Sequence, residues 1–203
     1  MKKYLPLMLT LVLVFAVAFL MVVCHNLKSE IVMKNSCIEQ ISIKNDAANM
    51  QFLANINNAG VSINQDILVK TIAGEPKSIL DLVVSSSVLV CRISEKYCDE
   101  CVDHAIKVIR DTKGSIDMSK VLFVVDSKNN STFKKFVMDY DLEGFNVLNC
   151  PNLGIPADEA MFPYIMAVDS SLRVLSVYFP TKSTHGTDYD YRHVKYMYDK
   201  LIR

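Results

Sequence analysis

The sequence carries no excess charge of either sign: 22 lysines and arginines balance 22 aspartates and glutamates over 203 residues. Such a chain lacks the field that gathers nucleic acid, and none is expected as a partner. Internal repeats and low-complexity tracts are also missing, which excludes a repeat architecture. Its six cysteines are too few for a small disulfide-stapled scaffold, so chemistry is the more natural use for them. Beyond the first 23 residues there is no charge-free apolar run of membrane-spanning length.

What is present divides the chain into three parts. Residues 1–24 begin with Lys2 and Lys3 and run from Leu5 to Val23 without a charge. At about 1.5 Å per residue that run matches a hydrocarbon core of roughly 30 Å. The one A-x-A sequence, Ala16-Val17-Ala18, is followed by more apolar residues up to Val23 rather than by a polar start, so an uncleaved membrane anchor is expected in place of a cleaved signal. Val23 stands where a lipoprotein signal carries a small residue, which argues against acylation of Cys24. Lys2 and Lys3 favour an N-terminus on the cytoplasmic side. The expectation is a single-pass protein of the cytoplasmic (inner) membrane whose C-terminal domain is extracytoplasmic, or periplasmic. Residues 25–60, rich in Asn, Ser and Lys, read as a membrane-proximal stalk with a helical stretch from Asp46 to Asn57. Residues 61–203 read as one domain with a single sizeable core.

Within that domain the period of apolar residues alternates between two values. Asp66 to Ile72 has strand composition, "AGEP" makes a turn, and "KSILDLV" is a short helix with Ser78 as its cap. "SVLVCRIS" is an apolar run too short for a helix, as expected of a strand covered on both faces. From Cys98 to Arg110 the period becomes helical, with Cys98, Cys101, Val102, Ala105, Ile106 and Ile109 on one face. Lys120–Asp126 and Phe145–Cys150 read as further strands, separated by a helix over Ser131–Tyr140 with Ser131 at its start. "PYIMAVD" and "RVLSVYF" are too close together for anything but an antiparallel hairpin. A last helix over Asp188–Ile202 puts Tyr191, Val194, Tyr198 and Leu201 on one side. The order predicts an α/β fold with a mixed sheet flanked by helices.

Cys98 and Cys101 are the residues with chemistry in them. At the mouth of a helix the Cys98 sulfur meets unpaired backbone N–H groups and the positive end of the helix dipole, both of which favour thiolate. Cys101 lies one turn further in, on the same face. Cys98 would attack a substrate disulfide and Cys101 would resolve the mixed disulfide. The intervening Asp99 and Glu100 oppose the dipole, each by on the order of 1 kcal/mol against a dipole contribution of roughly 0.3–1 kcal/mol. A weakly stabilised thiolate makes the pair a reductant more than an oxidant. A metal site is the rival, since His104 extends the pattern to C-x-x-C-x-x-H, but three ligands on one continuous helix would strain a tetrahedral ion. His104 is therefore expected as a solvated helix residue, and the pair as metal-free. Haem attachment is excluded because Val102, not His, follows Cys101. Cys91 reads as inert core, and Cys24, Cys37 and Cys150 carry no assigned role. Two small structural cysteines remain the plainest alternative for the pair.

The strand, the C-x-x-C at the start of a helix and, about sixty residues on, "MFPYIMAVD" together resemble the thioredoxin fold. With the N-terminal anchor and the segment "ILVKTIAGEPKSILDLV", residues 66–203 most closely resemble the membrane-tethered TlpA/ResA-like thiol-disulfide oxidoreductases. The resemblance implies Cys98 and Cys101 as the catalytic dithiol. It implies a substrate groove formed by Tyr97, Phe162 and Pro163, with a cis peptide bond before Pro163. It implies a protein disulfide as substrate, an electron donor in the membrane and no cofactor. Its alternative is a redox-inactive or metal-binding module of the same fold that holds a protein partner. The sequence departs from the family at Tyr97, where Trp is common, and at Ser170-Ser171, where Gly is common.

Overall fold

The computed structural model describes residues 5–83, 86–181 and 187–202. The first element, α1 (Leu5–Asn58), is one uninterrupted helix. Two stretches fall in it that the sequence reading kept apart: the anchor, expected as a transmembrane helix, and the stalk, of which only residues 46–57 were expected to be helical. Continuity has a simple cause, because no proline or glycine occurs between Pro6 and Gly60. Gly60, with φ at 84°, then ends it in the left-handed region that glycine enters without penalty. The periodicity gave no sign of this helix because nearly all its described side chains up to Met50 are exposed, so its own chain selects no apolar face on it. The expected anchor lies largely on residues whose side chains are not described. Among the described residues no helix is long and apolar enough to cross a membrane.

The chain divides into two compact units, residues 1–48 and residues 49–203. The second contains the last turns of α1 and all of the sheet. Its elements follow as β1 (Leu68–Lys70), β2 (Pro76–Ser78), α2 (Ile79–Val83), β3 (Val88–Ser94), α3 (Asp99–Asp111), β4 (Val121–Asp126), α4 (Asn130–Asp139), β5 (Asn146–Asn149), β6 (Tyr164–Val168), β7 (Val174–Tyr178) and α5 (Thr187–Met197). A π-helical turn, Tyr198–Ile202, continues α5. The seven strands lie in the order β2-β1-β5-β4-β3-β6-β7. β3, β4 and β5 are parallel, whereas β6 runs antiparallel to β3, β7 to β6, and β1 to β5. This is the mixed α/β sheet that the order of periods predicted.

β3 is an interior strand, between β4 and β6, and every one of its residues is buried. Leu89, Cys91 and Ile93 point into one core with α3, α4 and α5, while Val88 and Val90 point into the other with Ala54, Ile63, α2 and Leu153. Alternate residues of a strand reach opposite faces, so one strand organises both layers. Ser78 Oγ accepts from the Leu80 N–H at 3.2 Å, the cap expected for α2. The cap of α4 is Asn129 rather than Ser131. Its Oδ1 accepts from the Ser131 and Thr132 N–H groups at 3.0 and 2.9 Å, and Thr132 Oγ1 accepts from the Asn129 N–H, closing a capping box.

Candidate active site

β3 ends at Ser94 and the chain must turn before α3 can begin. Tyr97 N–H donates to the Ser94 carbonyl at 3.1 Å, and Lys96 N–H donates to Ser94 Oγ at 3.1 Å. At the end of the neighbouring strand β4, Asp126 accepts from Ser94 Oγ at 3.1 Å and from Lys96 Nζ at 2.8 Å. Glu95 accepts from Ser127 Oγ at 3.1 Å and from the Lys128 N–H at 3.3 Å. The turn that delivers the cysteines is thus tied to the carboxyl end of β4, the place where a sheet of this kind presents its loops.

Cys98 is the N-cap of α3, with extended backbone (φ −67°, ψ 133°), and its Sγ accepts from the Cys101 N–H at 3.2 Å. Its carbonyl accepts from the Val102 N–H at 3.0 Å, the first bond of the helix. Cys98 and Cys101 form a disulfide with their Cα atoms 5.3 Å apart. Cys98 is exposed and Cys101 is half-buried, while Val102, Ala105 and Ile106 carry the apolar face of α3 into the core. One sulfur is therefore open to a visitor and the other is held behind it.

The residues expected around the pair are distributed as follows. Tyr97 is buried, and burial raises its phenol, an effect that the nearby Arg92 guanidinium partly offsets. Pro163 is buried at the head of β6, and Phe162 before it is exposed. β6 pairs with β3 in the register Tyr164 to Arg92, which sets Phe162 and Pro163 at the same end of the sheet as the cysteine turn. The cis bond implied by the resemblance is not found, since the described residues contain no cis peptide. The Phe162–Pro163 bond is trans, the isomer favoured by about 0.5–1 kcal/mol, and the turn into β6 is made instead at Met161, which takes the left-handed conformation with φ at 56°.

His104 is not a solvated residue. It is half-buried, and its Nε2 lies 2.6 Å from Asp190 Oδ2 on α5, a carboxylate that also accepts from the Tyr178 hydroxyl and is wholly buried. A histidine so engaged is turned toward α5. Among the described residues no group of three or more His, Cys, Asp or Glu could hold a metal ion. Cys91 is fully buried and burial pushes its thiol far up, and burial also raises the Cys150 thiol. Cys24 and Cys37 are exposed on α1.

Sequence reasoning missed a second buried charge. Arg92 on β3 is almost wholly buried and spends its guanidinium on Asp158 Oδ1 at 3.1 Å and on the carbonyls of Cys150 and Pro151 at 2.5 and 2.9 Å. An arginine inside an otherwise apolar strand was the available signal, because a buried cation demands a partner.

The sheet order and the flanking helices make this a thioredoxin-like fold with a C-x-x-C disulfide at the start of a helix. No protein-family model matches the chain, and no curated protein matches it either. Solved structures do match. One, described as "putative electron transfer protein" from Aquifex aeolicus VF5, aligns at a TM-score of 0.51 with 12% identity over 68% of this chain and 90% of its own. A second, described as "putative protein disulfide isomerase" from Bacteroides thetaiotaomicron, aligns at 0.51 with 11% identity over 73% and 92%. A thiol:disulfide interchange protein from Bacteroides sp. aligns more loosely, at 0.47 with 16% identity over 71% and 91%. At these identities the likeness concerns the fold.

Proposed function

We propose that the protein is a membrane-anchored, extracytoplasmic thiol-disulfide oxidoreductase that reduces disulfides in other proteins. The observation that carries this reading is the exposed Cys98 sulfur, capping α3 and bonded to a half-buried Cys101. In the reduced pair, the Cys98 thiolate attacks one sulfur of the substrate disulfide. The substrate S–S bond breaks and its other sulfur leaves with the electron pair and takes up a proton. Cys101, losing its proton, then attacks Cys98 and expels the second substrate sulfur. The substrate gains two electrons and two protons, and the Cys98–Cys101 disulfide is regenerated for reduction by a dithiol donor in the membrane. No cofactor takes part.

Reduction is the favoured direction because Asp99 and Glu100, in the first turn of α3, oppose the stabilisation that the helix offers the thiolate. The anchor rests on the charge-free run from Leu5 to Val23 behind Lys2 and Lys3. The test uses the full chain in detergent with insulin and dithiothreitol. Cys98→Ser should abolish the accelerated reduction of insulin, and Cys101→Ser, reduced beforehand and freed of dithiothreitol, should trap a mixed disulfide with it. Turnover by Cys98→Ser equal to that of the unaltered protein would refute the assignment. Persistence of the chain in alkali-washed membranes tests the anchor separately.

A further inference from the structure

Every described side chain of α1 from Cys24 to Ala48 is exposed, large apolar ones included. Exposure alone says little, but the spacing of these residues says more. A 3.6-residue period finds no apolar face on this helix, whereas a seven-residue period does. With Cys24 at position a of a heptad, Cys24, Ile31, Ile38 and Asn45 occupy a, and Leu27, Lys34, Ile41 and Ala48 occupy d. Six of these eight are apolar, against five of the other seventeen residues in the stretch, and five of its six charges lie off the seam. An apolar row that recurs every 3.5 residues drifts around a straight helix and stays in line only where helices wind about one another. The pattern is one that a partner helix selects.

The partner that fits is a second copy of this chain, parallel and in register. β-Branched side chains at a, here Ile31 and Ile38, favour a parallel pair of two strands. Asn45 at a then meets its own counterpart, and each amide donates to the other's oxygen, whereas a slipped register would set it against an apolar residue. Lys34, the one charge in the seam, lies 2.7 Å from Glu30 of its own helix, which leaves its stem to line the seam with the ammonium outside. Leu27, Ile31, Ile38 and Ile41 of two copies cover, at roughly 60–120 Å² each, about 500–1,000 Å². With the stems beside them this approaches the roughly 1,200 Å² at which specific interfaces begin. The pair is therefore reversible, with a dissociation constant on the order of micromolar.

We propose that residues 24–48 of α1 form a parallel two-stranded coiled coil with a second copy of this chain, Asn45 fixing the register and the number of strands. Cys24, at a, faces its counterpart across the seam, while Cys37, at g, is turned away from its own. The inference concerns assembly and stands whether or not the Cys98–Cys101 pair turns over.

The experiment takes the full chain in detergent, with Cys98 and Cys101 oxidised, and measures its mass by light scattering at about 100 μM, well above that constant. The mass of two chains is expected. Ile31→Asp combined with Ile38→Asp sets four carboxylates in the seam and should weaken pairing at least about a hundredfold, leaving the mass of one chain. Val32→Asp combined with Ile43→Asp adds the same charge off the seam and should leave two chains, with circular dichroism confirming the helix content of each variant. A single-chain mass for the unaltered protein overturns the proposal, as does a two-chain mass for the seam variant or a loss of pairing common to both variants. Dibromobimane, which joins only neighbouring thiols, gives a readout that leaves the seam intact. It should bridge two chains through Cys24 in Cys37→Ser and fail to bridge them in Cys24→Ser, which keeps Cys37. A bridge through Cys37, or none through Cys24, overturns the parallel register.

Discussion

Neutralising the two acids between the cysteines should make the pair a stronger oxidant. Asp99 and Glu100 lie in the first turn of α3, beside the sulfur that becomes a thiolate when the disulfide is reduced. A unit charge about 4 Å away costs a like charge on the order of 1 kcal/mol in water. Asp99→Asn with Glu100→Gln therefore stabilises the Cys98 thiolate by at most about 2 kcal/mol. Acids in a first turn also favour the helix itself by about 0.3–1 kcal/mol, but that loss is common to the oxidised and reduced forms and cancels in the couple. The Tyr140 hydroxyl, which hydrogen-bonds Asp99, keeps an acceptor oxygen in the asparagine. For a two-electron couple about 1.4 kcal/mol corresponds to 30 mV, so the potential should rise by up to roughly 40 mV. The measurement is equilibration with glutathione buffers at low salt and at pH 9, where thiolate is populated. In about 1 M salt, where the screening length falls to roughly 3 Å, the difference between variant and unaltered protein should shrink. A potential that stays put or moves downward, or a difference indifferent to salt, would refute the electrostatic account.

Other expectations follow from the same structure. Asn129→Ala, which removes the capping box of α4, should cost about 1–2 kcal/mol and lower Tm by about 2–4 °C per kcal/mol in thermal unfolding. Burial of His193, stacked on Tyr178 at 4.1 Å, lowers its pKa from the ordinary 6.5, so the unfolded chain takes up a proton that the folded one resists. Stability should be full above pH 6.5 and decline as the pH falls below it, and Tm against pH should flatten in His193→Gln. In the reduced protein, iodoacetamide should label Cys98 first and leave Cys91 and Cys150 intact until the chain unfolds, read by peptide mass spectrometry.

The features legible in the sequence were those written in local period and spacing. β3, β4 and the β6–β7 hairpin could be read because their apolar residues are contiguous and their ends are marked. The placement of Cys98 at the start of α3 followed from a change of period between Ser94 and Val102. The unread features were pairings between distant residues. Arg92 meets Asp158 across 66 positions and His104 meets Asp190 across 86, and nothing near either residue announces its partner. The antiparallel placement of β1 against β5 rests on one paired position, Lys70 with Asn149, which no turn specifies. Asn129 was passed over as a cap because Ser131 is also a good one, and the choice depends on backbone angles that only the folded loop fixes.

The final turns of α1 have a bearing on how the sheet avoids sticking to its own kind. β7 is an outermost strand, and a bare outermost strand invites a foreign one to pair with it. Its first half is occupied by residues 60–63, which exchange bonds with Leu172 and Val174. Its second half is occupied by side-chain amides: Asn55 Oδ1 takes the Val177 N–H at 2.9 Å, Gln51 Oε1 takes the Phe179 N–H at 2.9 Å, and Gln51 Nε2 donates to the Val177 carbonyl. Two glutamine and asparagine side chains thus imitate an eighth strand without offering a backbone that could recruit a ninth. A fragment trimmed to begin at Val61 would lose this cover and should self-associate through Val177 and Phe179.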